Sequence, residues 1–293
     1  MSAEQMVSDL SGGLPPDTRF IISDREFMVL RELIYAHTGI ALSDHKRALV
    51  CARLARRLRH WNLFNYTEYY ELLTERDPDG RELMEMINAI TTNKTEFFRE
   101  VHHFQFLTEH VFPALRASHN RRIRIWSAAT SSGEEAYSIA MTVCESFPIA
   151  EYDVKILASD IDTNVLGRAA RGVYPLESVM RVPEELRARY FMRGTRSNDG
   201  QAHVKPVLQS FLRFRRLNLI DDVWPMQGPF DVIFCRNVLI YFDKEMQRRL
   251  LLRFADMLRP GGYLMLGHAE AIHGFEHIMR PAGHSIYQRR EPT

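Results

Sequence analysis

Residues Arg121–Ser138 read RRIRIWSAATSSGEEAYS. Apolar residues alternate at Ile123 and Ile125, and small ones dominate from Ser127 to Gly133. Glu134–Glu135 then open an apolar helical run with Tyr137, Ile139 and Ala140. A strand, a tight small-residue turn and a helix form the first half of a βαβ unit, whose turn lets backbone approach a nucleotide-like ligand. The second strand is predicted at Tyr152–Ser159 and ends in Asp160. An acid about 25 positions after such a turn can reach ribose hydroxyls.

Downstream, strands and helices alternate. A helix near Thr163–Arg171 precedes the Pro-punctuated stretch Tyr174–Tyr190. Residues 191–214 combine Gly and polar residues with short alternating runs, and Asn198-Asp199-Gly200 is a hairpin signal, so a small antiparallel insertion is predicted there. Phe214–Leu219 reads as a third core strand and the apolar Phe230–Cys235 as a fourth, covered on both faces. A helix at Lys244–Leu258 and strands at Tyr263–Leu266 and Ser285–Arg289 complete the pattern. It is that of an α/β fold with a parallel sheet and ligand sites at the carboxyl ends of its strands. Ser131–Glu135, Asp160, Asn218 and Arg236–Asn237 all fall at such ends.

Upstream, residues 1–18 are rich in Ser, Gly and Pro, the composition of a disordered tail. Ser23 and Glu26 form a capping box for a helix Asp24–His37, which Thr38–Gly39 ends. A helix Asp44–Trp61 aligns Val50, Leu54, Leu58 and Trp61, with Lys46, Arg47, Arg53, Arg56, Arg57 and Arg59 around them: six positive charges against one negative. Such a face is either an ordinary solvated surface or a docking site for an acidic partner. Helices near Tyr66–Glu75 and Arg81–Ala89 complete a small all-helical domain over residues 19–90. Residues 91–119, TTNKTEFFRE and a linker helix Val101–Arg116, lead into the 120–293 domain.

At 293 residues the chain is long enough for two cores, and its net charge of +1 gives no global pull toward nucleic acid or anionic membrane. No apolar run is long enough to span a bilayer, and the polar N-terminus is not a signal peptide. Cys51, Cys144 and Cys235 are far apart in apolar surroundings and read as buried thiols of a cytoplasmic protein. His102–His103, and His268 with His273 and His277, suggest metal ligands at first sight. Adjacent histidines point to different helix faces and no cysteine joins them, so no metal is expected.

A dinucleotide would want three glycines in the turn, because its pyrophosphate lies against bare backbone. This turn has only Gly133, and Glu134–Glu135 would repel phosphate. Carboxylates there suit S-adenosylmethionine, which carries an amino group, a sulfonium and no phosphate. The physical reading favours an adenosyl donor over a dinucleotide.

TTNKTEFFRE, WSAATSSGEEAYS, ASDID and FDVIFCRNVLIYF, in that order and spacing, resemble the chemotaxis receptor methyltransferases, the CheR-type protein-glutamate O-methyltransferases. The similarity runs from about Ser23 to Arg289. It implies a Rossmann-like class I S-adenosylmethionine-dependent methyltransferase domain with a small antiparallel β-subdomain, preceded by an all-helical receptor-docking domain. By that resemblance Asn93, Thr95 and Arg99 belong to a segment covering the cofactor, and Ala129 to its turn. Glu135 faces the methionyl part, Asp160 the ribose, and Asn218 and Leu219 the adenine. Arg236, Asn237 and Val238 complete the cofactor set, and Tyr241 lies beside the transferred methyl. Arg99, Tyr241 and Asn237 are the expected catalytic group. Arg53, Arg56 and Arg59 would meet the receptor's methylation region. Arg193 and Gly194 lie in the subdomain that in some members holds a receptor C-terminal pentapeptide. The implied reaction yields glutamate methyl esters and S-adenosylhomocysteine, by a cytoplasmic monomer recruited to membrane receptor clusters. Nucleic-acid methylation typically uses an Asn/Asp-Pro-Pro-aromatic turn where this chain has Cys235-Arg236-Asn237-Val238, and a non-catalytic adaptor would need a degraded cofactor site.

Overall fold

The structure, a computed structural model, describes residues 20–118 and 121–291, so the tail expected at residues 1–18 lies outside the described residues. The chain divides into two compact units, one ending at Thr91 and one starting at Thr92.

The first unit consists of helices Asp24–Thr38, Arg47–His60, Tyr66–Glu75 and Arg81–Ile90. Ser23 caps the first: its Oγ accepts from Glu26 N, and Glu26 Oε2 accepts from Ser23 N at 2.9 Å. Gly39, at φ 71°, ends it. The basic helix starts later than predicted, at Arg47, because Asp44–Lys46 forms a 3-10 turn. Phe27, Leu30, Ile34, Val50, Leu54 and Leu58 are fully buried, each on the apolar stripe of its helix. Glu82 is buried among them. Burial raises its pKa, but the Arg57 guanidinium and the Tyr69 hydroxyl hold it below its ordinary value.

In the second unit the predicted linker helix is interrupted. His102–Phe106 and Phe112–Ala117 are α-helical, and Leu107–Val111 between them is a wider π turn. Pro113 cannot donate to the carbonyl four residues back, and such widening absorbs the missing bond.

Strand β1 (Arg122–Ala128) runs parallel to β2 (Asp153–Asp160), Arg122 opposite Asp153 and Ala128 opposite Ser159. Strands β3 (Val173–Pro175), β4 (Phe191–Arg193) and β5 (Gln201–Val204) form a separate antiparallel sheet in the order β3-β5-β4. Strands β6 (Leu212–Arg216), β7 (Phe230–Cys235), β8 (Leu258–Leu266), β9 (Met279–Gly283) and β10 (Ile286–Arg289) join the first two in a seven-stranded sheet, order β6-β2-β1-β7-β8-β10-β9. β6, β2, β1, β7 and β8 pair in parallel, and β10 is antiparallel to both its neighbours.

Several details depart from the sequence reading. Strand β8 starts at Leu258, directly after the helix, and not at Tyr263. The small sheet is wider than an insertion at 191–214, since it takes β3 from the Pro-punctuated stretch, while residues 212–214 belong to the large sheet. The third core strand starts at Leu212 instead of Phe214. Strand β9 was not foreseen. Pro281 and Gly283 hide its pattern, and both are tolerated because β9 is a sheet edge.

Alternation along β1 explains the two-sided core. Ile123 and Ile125 pack with Tyr137, Ile139 and Phe234 on one face, whereas Trp126 and Ala128 pack with Phe254, Leu250 and Ile233 on the other. Strand order reverses at β1, with β2 on one side and β7 on the other. Open α/β sheets bind ligands at the carboxyl ends of the strands around such a switch.

Candidate functional site

The turn after β1 is held to the end of β2. The N–H groups of Ala129 and Thr130 donate to Ser159 O at 2.8 and 2.9 Å. Ala129, Ser131 and Gly133 all have positive φ (72°, 52° and 96°). Gly133 is also sterically required, since a Cβ there would stand 2.7 Å from Ala169 Cβ. The folded turn aims Ser131 N at Asp160 Oδ2 (2.7 Å), and Asp162 N donates to Oδ1 at 3.0 Å. Burial pushes the Asp160 carboxyl up to about 6, against the lowering effect of those N–H bonds.

The segment from Thr92 is latched across these strand ends. Asn93 Nδ2 donates to Asp162 Oδ2 at 2.6 Å, and Ser131 Oγ donates to Asn93 O at 2.9 Å. The other Asp162 oxygen caps the helix Thr163–Arg171 through Asn164 N and Val165 N. Phe97 is buried edge-on against Tyr174 and Phe191, with ring centroids 5.0 and 5.5 Å away. Arg99 Nη1 donates to Lys94 O at 2.9 Å and closes the loop that contains Thr95.

Arg236, at the end of β7, is the centre of the charge network. Only 1% of its side chain is exposed, and its Nη2 and Nη1 stand 3.3 Å from Glu100 and 3.3 Å from Glu135. Its Nη2 also donates to Arg99 O. Glu135 Oε1 accepts from Ser127 Oγ at 2.7 Å, and burial raises its pKa although Arg236 opposes this. Glu134 is the more buried of the pair, takes a bond from Ser132 Oγ, and is likewise raised by burial. Asn237, at φ 58°, donates from Nδ2 to Glu100 Oε1 at 3.4 Å. Its N–H donates to Glu270 Oε2 at 2.8 Å, and Glu270 also takes Gly267 N at 2.6 Å and Ile240 N at 3.3 Å. A Cβ at Gly267 would sit 2.3 Å from Asn237 Nδ2, so the approach of these strand ends needs glycine there.

Leu217 N donates to Asp160 O at 2.9 Å, which brings the buried Asn218 and Leu219 next to Asp160. Val238 and Tyr241 are half-buried in the turn after β7, where Tyr241 N donates to Val238 O. Hydrogen bonds and ion pairs thus bring Asn93, Ser131, Asp160 and Asp162 together, and likewise Glu100, Glu135, Arg236 and Asn237, at the carboxyl ends of the strands. The residues expected to meet the receptor stand differently. Arg53 is half-buried and its guanidinium donates to the carbonyls of Ile90 and Thr91, the latter at 3.0 Å, closing the end of helix Arg81–Ile90. Arg56 and Arg59 are exposed. Arg193 is exposed near Asp199, and Gly194 N donates to Gln201 O beside β5.

Glu100 and Glu270 were not singled out from the sequence. Glu270 carries a signal in retrospect, as a lone acid in the stretch LGHAEAI after a core strand. The cysteine reading holds in full only for Cys235, since Cys51 and Cys144 are half-buried. The histidines also group differently, with His268 standing by His102 and His284 and not by His273 and His277.

The crevice fits S-adenosylmethionine. Glu135 and Arg236 offer the anion and the cation that a zwitterionic amino-acid group would need, and Asp160, in no ion pair among the described residues, keeps lone pairs for hydroxyl donors. Arg236 Nε, Arg236 Nη1, Glu100 Oε2 and Thr130 Oγ1 are buried without hydrogen-bond partners, capacity that a polar ligand can use. The strand order and this crevice define a Rossmann-like, S-adenosylmethionine-dependent methyltransferase domain.

The family model of the CheR methyltransferase SAM-binding domain matches residues 93–287, and that of the CheR methyltransferase all-alpha domain matches residues 25–91. Chemotaxis protein methyltransferase 2 of Pseudomonas aeruginosa is 45% identical over 268 residues, covering 92% of this chain and 94% of that protein. The chemotaxis protein methyltransferases of Salmonella typhimurium and Escherichia coli are 42% and 43% identical, covering 96% and 92% of this chain and 98% and 92% of theirs. The chain belongs to the CheR chemotaxis methyltransferase family.

Proposed function

We propose that the chain transfers a methyl group from S-adenosylmethionine to glutamate side-chain carboxylates of chemoreceptors, giving methyl esters and S-adenosylhomocysteine. The observation that carries this reading is the pairing of Glu135 with Arg236 beside Asp160, at strand ends with no phosphate-accepting glycine turn. In the bound state Glu135 faces the methionyl amino group, Arg236 its carboxylate, Asp160 the ribose, and Asn218 with Leu219 the adenine.

S-adenosylmethionine supplies an electrophilic methyl on a sulfonium. A glutamate side chain with a pKa of about 4.3 is already an anion at neutral pH, so its attack needs no general base. The protein's work is alignment, which can be worth roughly 7–11 kcal/mol. Asn93 and Thr95 fold over the crevice, and Arg99 fastens that cover by its bond to Lys94 O. Tyr241, Asn237 and Val238 shape a narrow, water-poor approach for the acceptor, where opposite charges lost in the transition state are least stabilised by solvent beforehand. A guanidinium gripping the acceptor would stabilise its ground state, so Arg99 acts on the cover and not on the nucleophile.

Arg56 and Arg59 present positive charge to the acidic methylation region of the receptor, with Arg53 bracing the same helical unit. Arg193 and Gly194, at the edge of the small sheet, meet a receptor C-terminal peptide. The site of action is cytoplasmic, at receptor clusters. Among the described residues no helix is long and apolar enough to cross a membrane. Calorimetry with S-adenosylhomocysteine tests the reading: one equivalent binds the purified chain, and Asp160→Ala and Glu135→Ala each weaken binding at least tenfold. Unchanged binding in both variants contradicts it.

A further inference from the structure

We propose that His102, His268 and His284 form a binding site for one transition-metal cation of the Zn2+, Ni2+ or Cu2+ class, a clamp at the rim of the crevice.

The three histidines come from three separate elements. His102 lies on helix His102–Phe106, His268 in the turn after β8, and His284 in the turn between β9 and β10. Their ring centroids are 4.1 Å apart for His268 and His284, 5.5 Å for His102 and His284, and 5.9 Å for His102 and His268. One ring nitrogen from each lies within 4.8 Å of the others. Tetrahedral coordination at 2.0–2.1 Å needs nitrogens about 3.3 Å apart. His102 Nε2 lies 3.2 Å from His284 O, a contact that an ion would replace, and His268 and His284 are exposed side chains on turns whose χ rotations can close the gap. Three imidazoles, no thiolate and no carboxylate make a donor set for borderline divalent ions, with a fourth position open to water.

Backbone features hold the site in place. Ser285, at φ 56°, forms the hairpin turn that presents His284, and Ser285 O accepts from Leu266 N at 2.9 Å, tying the turn to β8. Ser285 Oγ lies 3.3 Å from His284 Nδ1, an outer contact that can select the Nε2 lone pair for an ion. A second grouping, Glu100, His102 and His103, shares His102. It is the poorer site, because Glu100 already faces the Arg236 guanidinium and an inner cation would meet that charge.

The clamp has a consequence at the crevice. His268 N donates to Glu100 Oε1 at 3.2 Å, and Glu100 contacts Arg236 and Asn237. An ion on the three rings would therefore fasten the helix following the cover segment to two turns at the other end of the sheet. This inference is independent of the acceptor and of the methyl donor.

The test uses the full chain after chelator treatment, titrated with zinc chloride alone by calorimetry. The expected result is one equivalent bound with micromolar affinity and a Tm raised by several degrees. His284→Ala and His268→Ala each weaken binding about tenfold or more and remove the Tm shift, whereas His273→Ala leaves both unchanged. No saturable binding, or binding that survives both His284→Ala and His268→Ala, overturns the proposal.

Discussion

Arg236 Nη1 lies 3.3 Å from Glu135 Oε2, a buried ion pair between the end of β7 and the helix that follows β1. Glu100 stands at the same distance on another face of the guanidinium. Removing the cation leaves Glu100 and Glu135 without their ion-pair partner, and only the weaker influence of Arg99 remains on Glu135. Arg236→Ala is therefore expected to cost about 3–5 kcal/mol of stability, read by urea unfolding. Arg236→Lys, a point charge that cannot fork toward both acids, should fall between. A loss below about 1 kcal/mol for Arg236→Ala would remove the pair from the structural account.

Glu270 holds the turn that presents Asn237. Its carboxylate accepts three backbone N–H groups, from Asn237, Gly267 and Ile240. Glu270→Gln keeps the volume but turns an amide donor toward at least one of those donors, at about 1–3 kcal/mol. Affinity for S-adenosylhomocysteine should drop roughly 5- to 150-fold, the range that cost converts to at about 1.4 kcal/mol per decade where the turn must be in place to bind. Native affinity in this variant would show that the turn is held by other contacts.

Asp160 makes binding pH-dependent. Its folded pKa of about 6 lies above the ordinary 3.8 of the group, so the folded chain holds a proton that the unfolded chain releases. The stability it contributes is full below 3.8 and is lost as pH rises through about 6. In the proposed complex ribose hydroxyls would donate to the ionised carboxylate, so binding would favour the charged form and release a proton near pH 6. The dissociation constant for S-adenosylhomocysteine should be flat above pH 7 and rise toward tenfold per unit well below 6. Asp160→Asn should bind weakly at every pH and lose the slope. A wild-type profile that is flat from pH 5 to 8 would show that Asp160 does not bind as a carboxylate.

The arginines of the basic helix separate into two roles. Arg56→Glu with Arg59→Glu is expected to lower receptor methylation at least tenfold while leaving cofactor affinity untouched, since both side chains are exposed. Arg53→Ala removes bonds to the carbonyls of Ile90 and Thr91 and should instead cost roughly 1.5–3 kcal/mol of stability, the range for charge-assisted bonds. Receptor methylation at the wild-type rate in the double variant would exclude docking through this helix face.

The large sheet was legible in the sequence because its strands obey simple patterns. FDVIFC could be read as a doubly covered strand, and its structure begins and ends at those residues. The first unit was legible for a similar reason: Ser23 and Glu26 announce the capping box, and Gly39 the stop. Strand β9 was not, since Pro281 and Gly283 break the alternation and only an edge position admits them. The π turn in the linker helix was hidden because periodicity alone does not reveal where Pro113 costs a bond. The placement of Asp160 and Arg236 at strand ends was legible, as both follow apolar runs. Glu100 and Glu270 were not, because their partners lie 136 and 33 positions away and only the fold brings them together. The histidine grouping was misread for the same reason, with His102 and His284 meeting across 182 positions.

The most direct measurement is transfer of a tritiated methyl group from labelled S-adenosylmethionine to purified chemoreceptor in the presence of this chain. Label is expected on the receptor, and mild base should release it as volatile methanol, in the manner of a carboxyl methyl ester. It should disappear when the receptor's acceptor glutamates are replaced by alanine. Base-stable label, or no label from a chain that binds S-adenosylhomocysteine normally, would contradict it.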